Sequence, residues 1–132
     1  MKVPPLSHLA PNERAAIAEY LAYICDCFPG RILSATLFGS KARGDADAES
    51  DIDLLVLVDA EDNAFRSELW RIASDVSLEH NVVLSVRMYA QDHWAEAQRI
   101  RLPLYRAIAA DGISLVPEHP STQPAGQREF EG

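Results

Sequence analysis

Two aspartates, Asp51 and Asp53, begin one of the most apolar segments of the sequence, Leu54-Leu55-Val56-Leu57-Val58. Alternate side chains of a β-strand point to the same face, so both carboxylates would lie on one side, about 7 Å apart. Such a pair repels and raises each member's pKa unless a cation lies between the two. Magnesium suits the pair because it prefers carboxylate oxygens and completes its shell with water and substrate phosphates. An isolated Asp-x-Asp is more often a solvated strand entrance, so the residues upstream decide whether this is a metal site.

A second group of residues follows another apolar segment and favours phosphate binding. Gly39 permits a tight turn and a close backbone approach. Ser40 offers a hydroxyl and an amide at a predicted helix start, where amide dipoles attract anions. Lys41 and Arg43 can neutralise phosphate charge, although for either cation alone a solvated surface position is the more common role. A phosphate-binding turn beside a metal-binding pair on an adjacent strand predicts a nucleotide site.

At these residues the sequence resembles the minimal nucleotidyltransferase family of the DNA polymerase β-like nucleotidyltransferase superfamily. The motif of that family is Gly-Ser, ten residues, then Asp-x-Asp, and here Gly39-Ser40 is followed by ten residues and Asp51-Ile52-Asp53. The flanking Ser-x-Ala-Arg-Gly and Ser-Asp-x-Asp-Leu patterns match as well. The resemblance covers residues 32–116.

The resemblance implies an activity, a cofactor and a partner. Gly39, Ser40, Lys41 and Arg43 would bind the nucleotide, and Asp51 and Asp53 would be the catalytic residues and the ligands of Mg²⁺. The reaction would transfer a nucleoside monophosphate, most often AMP from ATP, to a hydroxyl acceptor. Members of this family commonly act as antitoxins of a small helical HEPN-type toxin and are reported to modify a tyrosine of it. Such an AMPylation of a toxin is therefore the function that the resemblance implies.

The third carboxylate that active members of the superfamily usually carry is missing from its expected place. The apolar-acid-apolar triplet expected in the third strand reads Leu84-Ser85-Val86, and serine neither binds magnesium well nor takes a proton at neutral pH. Glu79 could replace it only in a different strand register. One alternative is therefore a catalytically weakened nucleotide-binding antitoxin that acts by contact with a helical partner. An antibiotic-modifying nucleotidyltransferase is a further alternative, but those enzymes generally carry an added helical domain.

The elements that position these residues follow from apolar periodicity and from turn residues. The pattern predicts an α/β (α+β) fold, a small mixed sheet covered by helices. We expect a helix that starts at Pro11 and ends before Phe28-Pro29-Gly30, and a helix from about Phe65 to Glu79. The predicted strands are Ile32–Phe38, Asp51–Val58, Asn81–Met88 and, at an edge, Ile113–Val116. Two short helices precede the last strand, the first with Asp92 as its N-cap and the second near Leu104–Ala110.

The length of 132 residues suits one domain, predicted at residues 1–116, followed by a disordered tail at residues 117–132 that is rich in Pro, Gly and Gln. The net charge of −8 argues against direct binding to nucleic acid or to anionic lipid. Eight carboxylates and no Lys or Arg lie between Asp45 and Asp62, and Asp45, Asp47 and Glu49 are expected to solvate the site entrance.

No apolar run approaches the roughly 20 residues that span a bilayer, and the N-terminus shows no apolar signal stretch, so we expect a cytoplasmic protein. Cys25 and Cys27 are two positions apart on a predicted helix, a spacing that suits neither a disulfide nor a shared metal ion. They are expected to be buried and reduced. Trp70 and Trp94 are expected to pack in the core.

Overall fold

The fold is given by a computed structural model that describes residues 9–44 and 50–116. The predicted acidic loop (Asp45, Asp47, Glu49) and the predicted tail at residues 117–132 lie outside these described residues. The elements are α1 (Pro11–Cys27), β1 (Ile32–Phe38), α2 (Ser40–Arg43), β2 (Ile52–Val58), α3 (Asn63–His80), β3 (Leu84–Ala90), α4 (Gln91–Arg99), α5 (Pro103–Asp111) and β4 (Ile113–Val116).

The four described strands form one mixed sheet in the order β3-β2-β1-β4. Strand β1 pairs antiparallel with both β2 and β4, whereas β2 and β3 run parallel and are connected through α3. The continuous apolar run of β2 is explained by this order, because a central strand is covered on both faces. The mixed α/β fold predicted from the sequence is confirmed.

The two faces of the sheet are covered by different helices. Helices α1 and α3 pack over the larger apolar core, to which α3 contributes Phe65, Leu69, Ile72 and Val76 at helical spacing. Helices α4 and α5 cover the opposite face, where Trp94 packs with residues of β1 and β2 in a smaller core. The sheet is therefore the middle of three layers. The end of β1 lies beside the start of β2, and polar side chains can be presented there.

Several predicted boundaries are wrong, among them the start of β2, which is Ile52 rather than Asp51. Strand β3 begins at Leu84 rather than Asn81, because Asn81 adopts a left-handed conformation (φ 58°) and ends α3. Helix α4 begins at Gln91 with Ala90 as its N-cap, so Asp92 lies inside the first turn, where its carboxylate accepts a hydrogen bond from the His93 amide at 2.9 Å.

The burial of the cysteines and of the tryptophans follows the sequence prediction only in part. Cys25 is half-buried and Cys27 is exposed, so the prediction of buried thiols is wrong for Cys27, although both thiols are free. Trp94 is buried as predicted, but Trp70 is 49 % exposed and lies outside the core.

Among the described helices, none combines the length and the apolar character that crossing a membrane requires.

Candidate active site

Helix α2, which follows β1, is a single helical turn between two glycines, Gly39 and Gly44. We call Gly39 and this helical turn the Gly39 turn. Gly39 has a φ of +77° and is the N-cap of α2, and its carbonyl accepts hydrogen bonds from the amides of Ala42 and Arg43 at 3.0 and 3.1 Å. Gly44 then ends the turn in a left-handed conformation, with its amide donating to the Ser40 carbonyl at 2.9 Å. Within the described residues, the Ser40 amide at the start of α2 has no hydrogen-bond partner and is left for another acceptor, as phosphate binding at a helix start requires.

The carboxylate of Asp53 lies directly against this turn. In the antiparallel pairing of β1 with β2, Asp53 is opposite Phe38, the residue before Gly39. A β-carbon built on Gly39 would be only 2.5 Å from Asp53 Oδ2, so only glycine leaves room for the carboxylate. Asp51 is exposed and immediately precedes β2. The structure therefore brings Asp53 and the Gly39-Ser40 turn together, as the sequence predicted.

The electrostatic environment of Asp53 favours a cation. Partial burial raises the pKa of Asp53, the charge of Asp51 raises it further, and the charge of Arg87 lowers it. A divalent cation bound by both carboxylates would remove the repulsion and the desolvation cost together. Two hard oxygen donors with the open turn beside them fit Mg²⁺, which takes few protein carboxylates and leaves positions for water and phosphate.

The two predicted phosphate-neutralising cations lie in different surroundings. Lys41 is buried, and its ammonium binds the carboxylate of Glu13 on α1, which also accepts a hydrogen bond from the Ala10 amide at 2.8 Å. Arg43 is exposed, with its Nη1 at 3.6 Å from Asp111 Oδ2. The expectation of a solvated surface position thus fits Arg43 and is wrong for Lys41. Lys41 connects the turn to α1 through this contact, and its role in nucleotide binding stays a prediction.

Ser85 is the direct neighbour of Asp53 in the sheet. The parallel register of β2 and β3 pairs these two residues, which places their side chains on the same face. Glu79 lies near the end of α3, before β3 begins, and its carboxylate is close to Glu19 and to His80, whose Nε2 is 2.9 Å from Glu19 Oε1. The position where a third carboxylate would stand beside Asp53 is therefore held by Ser85, and Glu79 does not replace it.

Arg87 is a site residue that the sequence reasoning missed. It is exposed, two positions after Ser85 on β3, and strand alternation therefore places it on the same face as Ser85 and Asp53. Its charge lowers the pKa of Asp53. The signal was present in the sequence, since a charged residue two positions from the expected third carboxylate must share its face.

Comparisons with known proteins show the family to which the chain belongs. Residues 17–109 match the family described as the nucleotidyltransferase domain, and the chain belongs to that family. Two Methanocaldococcus jannaschii proteins that are provisionally named protein adenylyltransferases are similar to it. The first is 46 % identical over 50 residues, which are 38 % of this chain and half of that protein's length. The second is 35 % identical over 74 residues, 55 % of this chain and 75 % of the relative.

Two solved structures share the fold. One, a mutant of the toxin–antitoxin MntA-HpeT, has a TM-score of 0.53 and 21 % identity over 85 % of this chain and 77 % of that chain. The other, a toxin–antitoxin with AMP-PNP, has a TM-score of 0.50 and 20 % identity over 78 % and 75 % of the two chains. The family match and the named relatives confirm the predicted class of protein, a nucleotidyltransferase.

Proposed function

We propose that this nucleotidyltransferase uses Mg²⁺ to transfer AMP from ATP to a hydroxyl group of a protein. The observation that supports the proposal is the close approach of the Asp53 carboxylate to the Gly39 turn, because a carboxylate is a suitable ligand for Mg²⁺ and a helix start suits phosphate. The names of the two Methanocaldococcus jannaschii relatives support a protein as the acceptor and adenylate as the transferred group.

The chain's own residues have three roles in this reaction. The Ser40 hydroxyl and the amides of the turn bind the triphosphate, and Lys41 fixes the turn through Glu13. Asp51 and Asp53 would hold Mg²⁺, which when bound would stabilise the charge that develops on the α-phosphate. The acceptor oxygen attacks the α-phosphorus in line, its proton passes to solvent, and the bond to pyrophosphate breaks.

The acceptor we propose is a tyrosine of a small helical HEPN-type toxin, which this protein would neutralise as a cytoplasmic antitoxin. This proposal rests on the motif from Gly39-Ser40 to Asp51-Ile52-Asp53 and on the resemblance that the motif carries. Toxin–antitoxin proteins of the same fold, one of them solved with AMP-PNP, are consistent with it.

A second candidate function is a nucleotide-binding antitoxin that acts by contact alone. The specific observation in its favour is Ser85 beside Asp53, because a serine cannot serve as a metal ligand or as a general base in the way a carboxylate does. The two candidates share the nucleotide site and differ only in whether covalent transfer follows.

Transfer is tested with ATP labelled on the α-phosphate, Mg²⁺ and a HEPN-type protein from an adjacent reading frame. We expect label on the partner with the wild type, no label with Asp53→Ala, and unchanged labelling with Asp26→Ala, which alters an exposed aspartate on α1. A stable complex that never becomes labelled would establish the contact-only function and refute the transferase proposal.

A further inference from the structure

Strand β3 is an edge of the described sheet, and its outward backbone groups can be identified. The Ile52 amide donates to the Val83 carbonyl at 2.9 Å, and Ile52 is paired with Leu84. In a parallel pair with this pattern, the odd-numbered residues of β3 direct their backbone groups towards β2. The backbone groups of Leu84, Val86, Met88 and Ala90 therefore point away from the sheet.

Side chains already occupy part of this edge. The Leu84 amide donates to Ser77 Oγ at 3.0 Å, Trp70 Nε1 donates to the Val86 carbonyl at 3.1 Å, and the Ala90 amide donates to Glu61 Oε2 at 2.8 Å. Native proteins protect exposed sheet edges in this way.

The middle of the edge has backbone groups without partners. Within residues 9–44 and 50–116, the amide of Val86 and both backbone groups of Met88 have no hydrogen-bond partner, and Met88 as a whole is 6 % exposed. This open segment, which is open only in that its backbone groups are unpaired, lies between two protected ends, and they limit pairing to a short stretch of another chain.

A cavity of about 500 Å³ follows the open segment from Ser85 to Tyr89. Helix α3 contributes Arg66 and Trp70 to its lining, and α4 contributes His93. The single acid in the lining, Glu61, is engaged by Arg66 and by His93 Nδ1. Arg87 forms no ion pair with any described residue and is exposed, so the cavity presents positive charge in a chain whose net charge is −8.

We propose that this cavity, the β3 edge groove, is the acceptor subsite, and that it binds an extended, acidic segment of polypeptide. The segment pairs with the open backbone groups of Val86 and Met88, while its carboxylates face Arg87. Ser85 forms one end of the groove and is paired with Asp53, so an acceptor hydroxyl a few residues along the segment reaches the α-phosphate. A polypeptide is favoured over nucleic acid because a sheet edge pairs with a main chain.

The inference rests on the proposed function and is tested with two random copolymers as acceptors, one of glutamate and tyrosine and one of lysine and tyrosine. With MgATP labelled on the α-phosphate, we expect the wild type to label the acidic copolymer about tenfold or more in excess of the basic one. Arg87→Glu should reduce this ratio to about one or below. Any effect of Arg87 on the binding of Mg²⁺ or ATP changes the labelling of both copolymers equally, because both depend on the same MgATP site. The ratio of the two therefore reports on the acceptor alone.

Two further variants make the test specific. Arg106→Glu reverses an exposed arginine on α5, outside the groove, and should leave the ratio unchanged. Val86→Pro removes an outward amide from an edge strand and should lower labelling of both copolymers about tenfold while MgATP binding is retained.

Two results would overturn the inference. Equal labelling of the two copolymers by the wild type, or labelling of neither while the HEPN-type partner is labelled, would remove the groove as acceptor subsite and leave the proposed function intact. Absence of MgATP binding, or of label on that partner, would instead refute the proposed function, and this inference with it.

Discussion

The carboxylate of Asp53 fills the space that a side chain on Gly39 would need. Its Oδ2 is 2.5 Å from the position of an ideal β-carbon on Gly39, whose φ of +77° already favours glycine. Two residues that are 14 positions apart in the sequence therefore constrain each other, and the end of β1 cannot change without moving the predicted metal ligand on β2.

The first prediction concerns Gly39→Ala. The new methyl group must displace the Asp53 carboxylate, so we expect MgATP affinity to fall about tenfold or more, together with a loss of about 1–2 kcal/mol in unfolding free energy from the left-handed backbone. Gly30→Ala is the matched control, because Gly30 has a φ of +78° and nothing within 4 Å of its ideal β-carbon. It should lose similar stability with unchanged affinity. Equal affinity losses in both variants would contradict the contact.

The second prediction concerns Ser85→Asp, which places a carboxylate beside Asp53. A third acidic group can hold the metal and accept the acceptor proton, so we expect the rate of transfer to rise between about tenfold and 100-fold. Without Mg²⁺ the variant should be less stable than the wild type, because three like charges then repel each other. Ser85→Asn, similar in size and uncharged, should show neither change. A rate that is unaltered by Ser85→Asp would show that this position does not serve the chemistry.

The third prediction concerns the buried pair of Lys41 and Glu13. Lys41→Met leaves the buried Glu13 carboxylate without this counter-charge and should lower the free energy of unfolding by about 3 kcal/mol, measured by urea denaturation. Adding Glu13→Gln should recover much of that loss, because glutamine can still accept the hydrogen bond from Ala10 at the start of α1. If the double variant is no more stable than Lys41→Met, the pair does not couple the turn to α1.

The fourth prediction concerns the pH dependence of Glu61. The amide of Ala90, together with His93 and Arg66, lowers the pKa of Glu61 to about 2, below its ordinary 4.5. A depressed carboxylate pKa contributes stability that is present above pH 4.5 and is lost as pH falls towards 2. Glu61→Gln should therefore be roughly 1–2 kcal/mol less stable at pH 7 and no less stable near pH 2.

The His93 resonance provides a second measurement on the same cluster. Glu61 raises the pKa of His93 above its ordinary 6.5, so the NMR titration midpoint should move down in Glu61→Gln. Glu96→Gln alters an exposed carboxylate that is paired with Arg99 on α4 and should leave the midpoint unchanged. A His93 midpoint that is insensitive to Glu61→Gln would contradict the ion pair.

The local sequence pattern was sufficient to predict the strands that carry Asp53 and Ser85. The uninterrupted apolar run after Asp53 predicted the central strand, and Leu84-Ser85-Val86 identified the residue that stands beside Asp53. Asn81 was assigned to β3 because the valines that follow it favour a strand, whereas its left-handed conformation ends the helix.

Features that depend on contacts between distant elements could not be predicted. The burial of Lys41 depends on Glu13, 28 positions earlier on another helix, and no local pattern connects the two. The exposure of Trp70 follows from its position one residue after Leu69, off the apolar stripe of α3, but its hydrogen bond to the edge of β3 follows from tertiary packing alone.

The most direct measurement is a calorimetric titration of the protein with ATP, in the presence of Mg²⁺ and again in the presence of a chelator. If the two carboxylates hold a cation against the phosphate-binding turn, ATP should bind clearly in the presence of Mg²⁺. The affinity for ATP should fall about tenfold or more with the chelator or in Asp53→Asn. ATP affinity that is the same with and without Mg²⁺, or no binding under either condition, would contradict the assignment of this site.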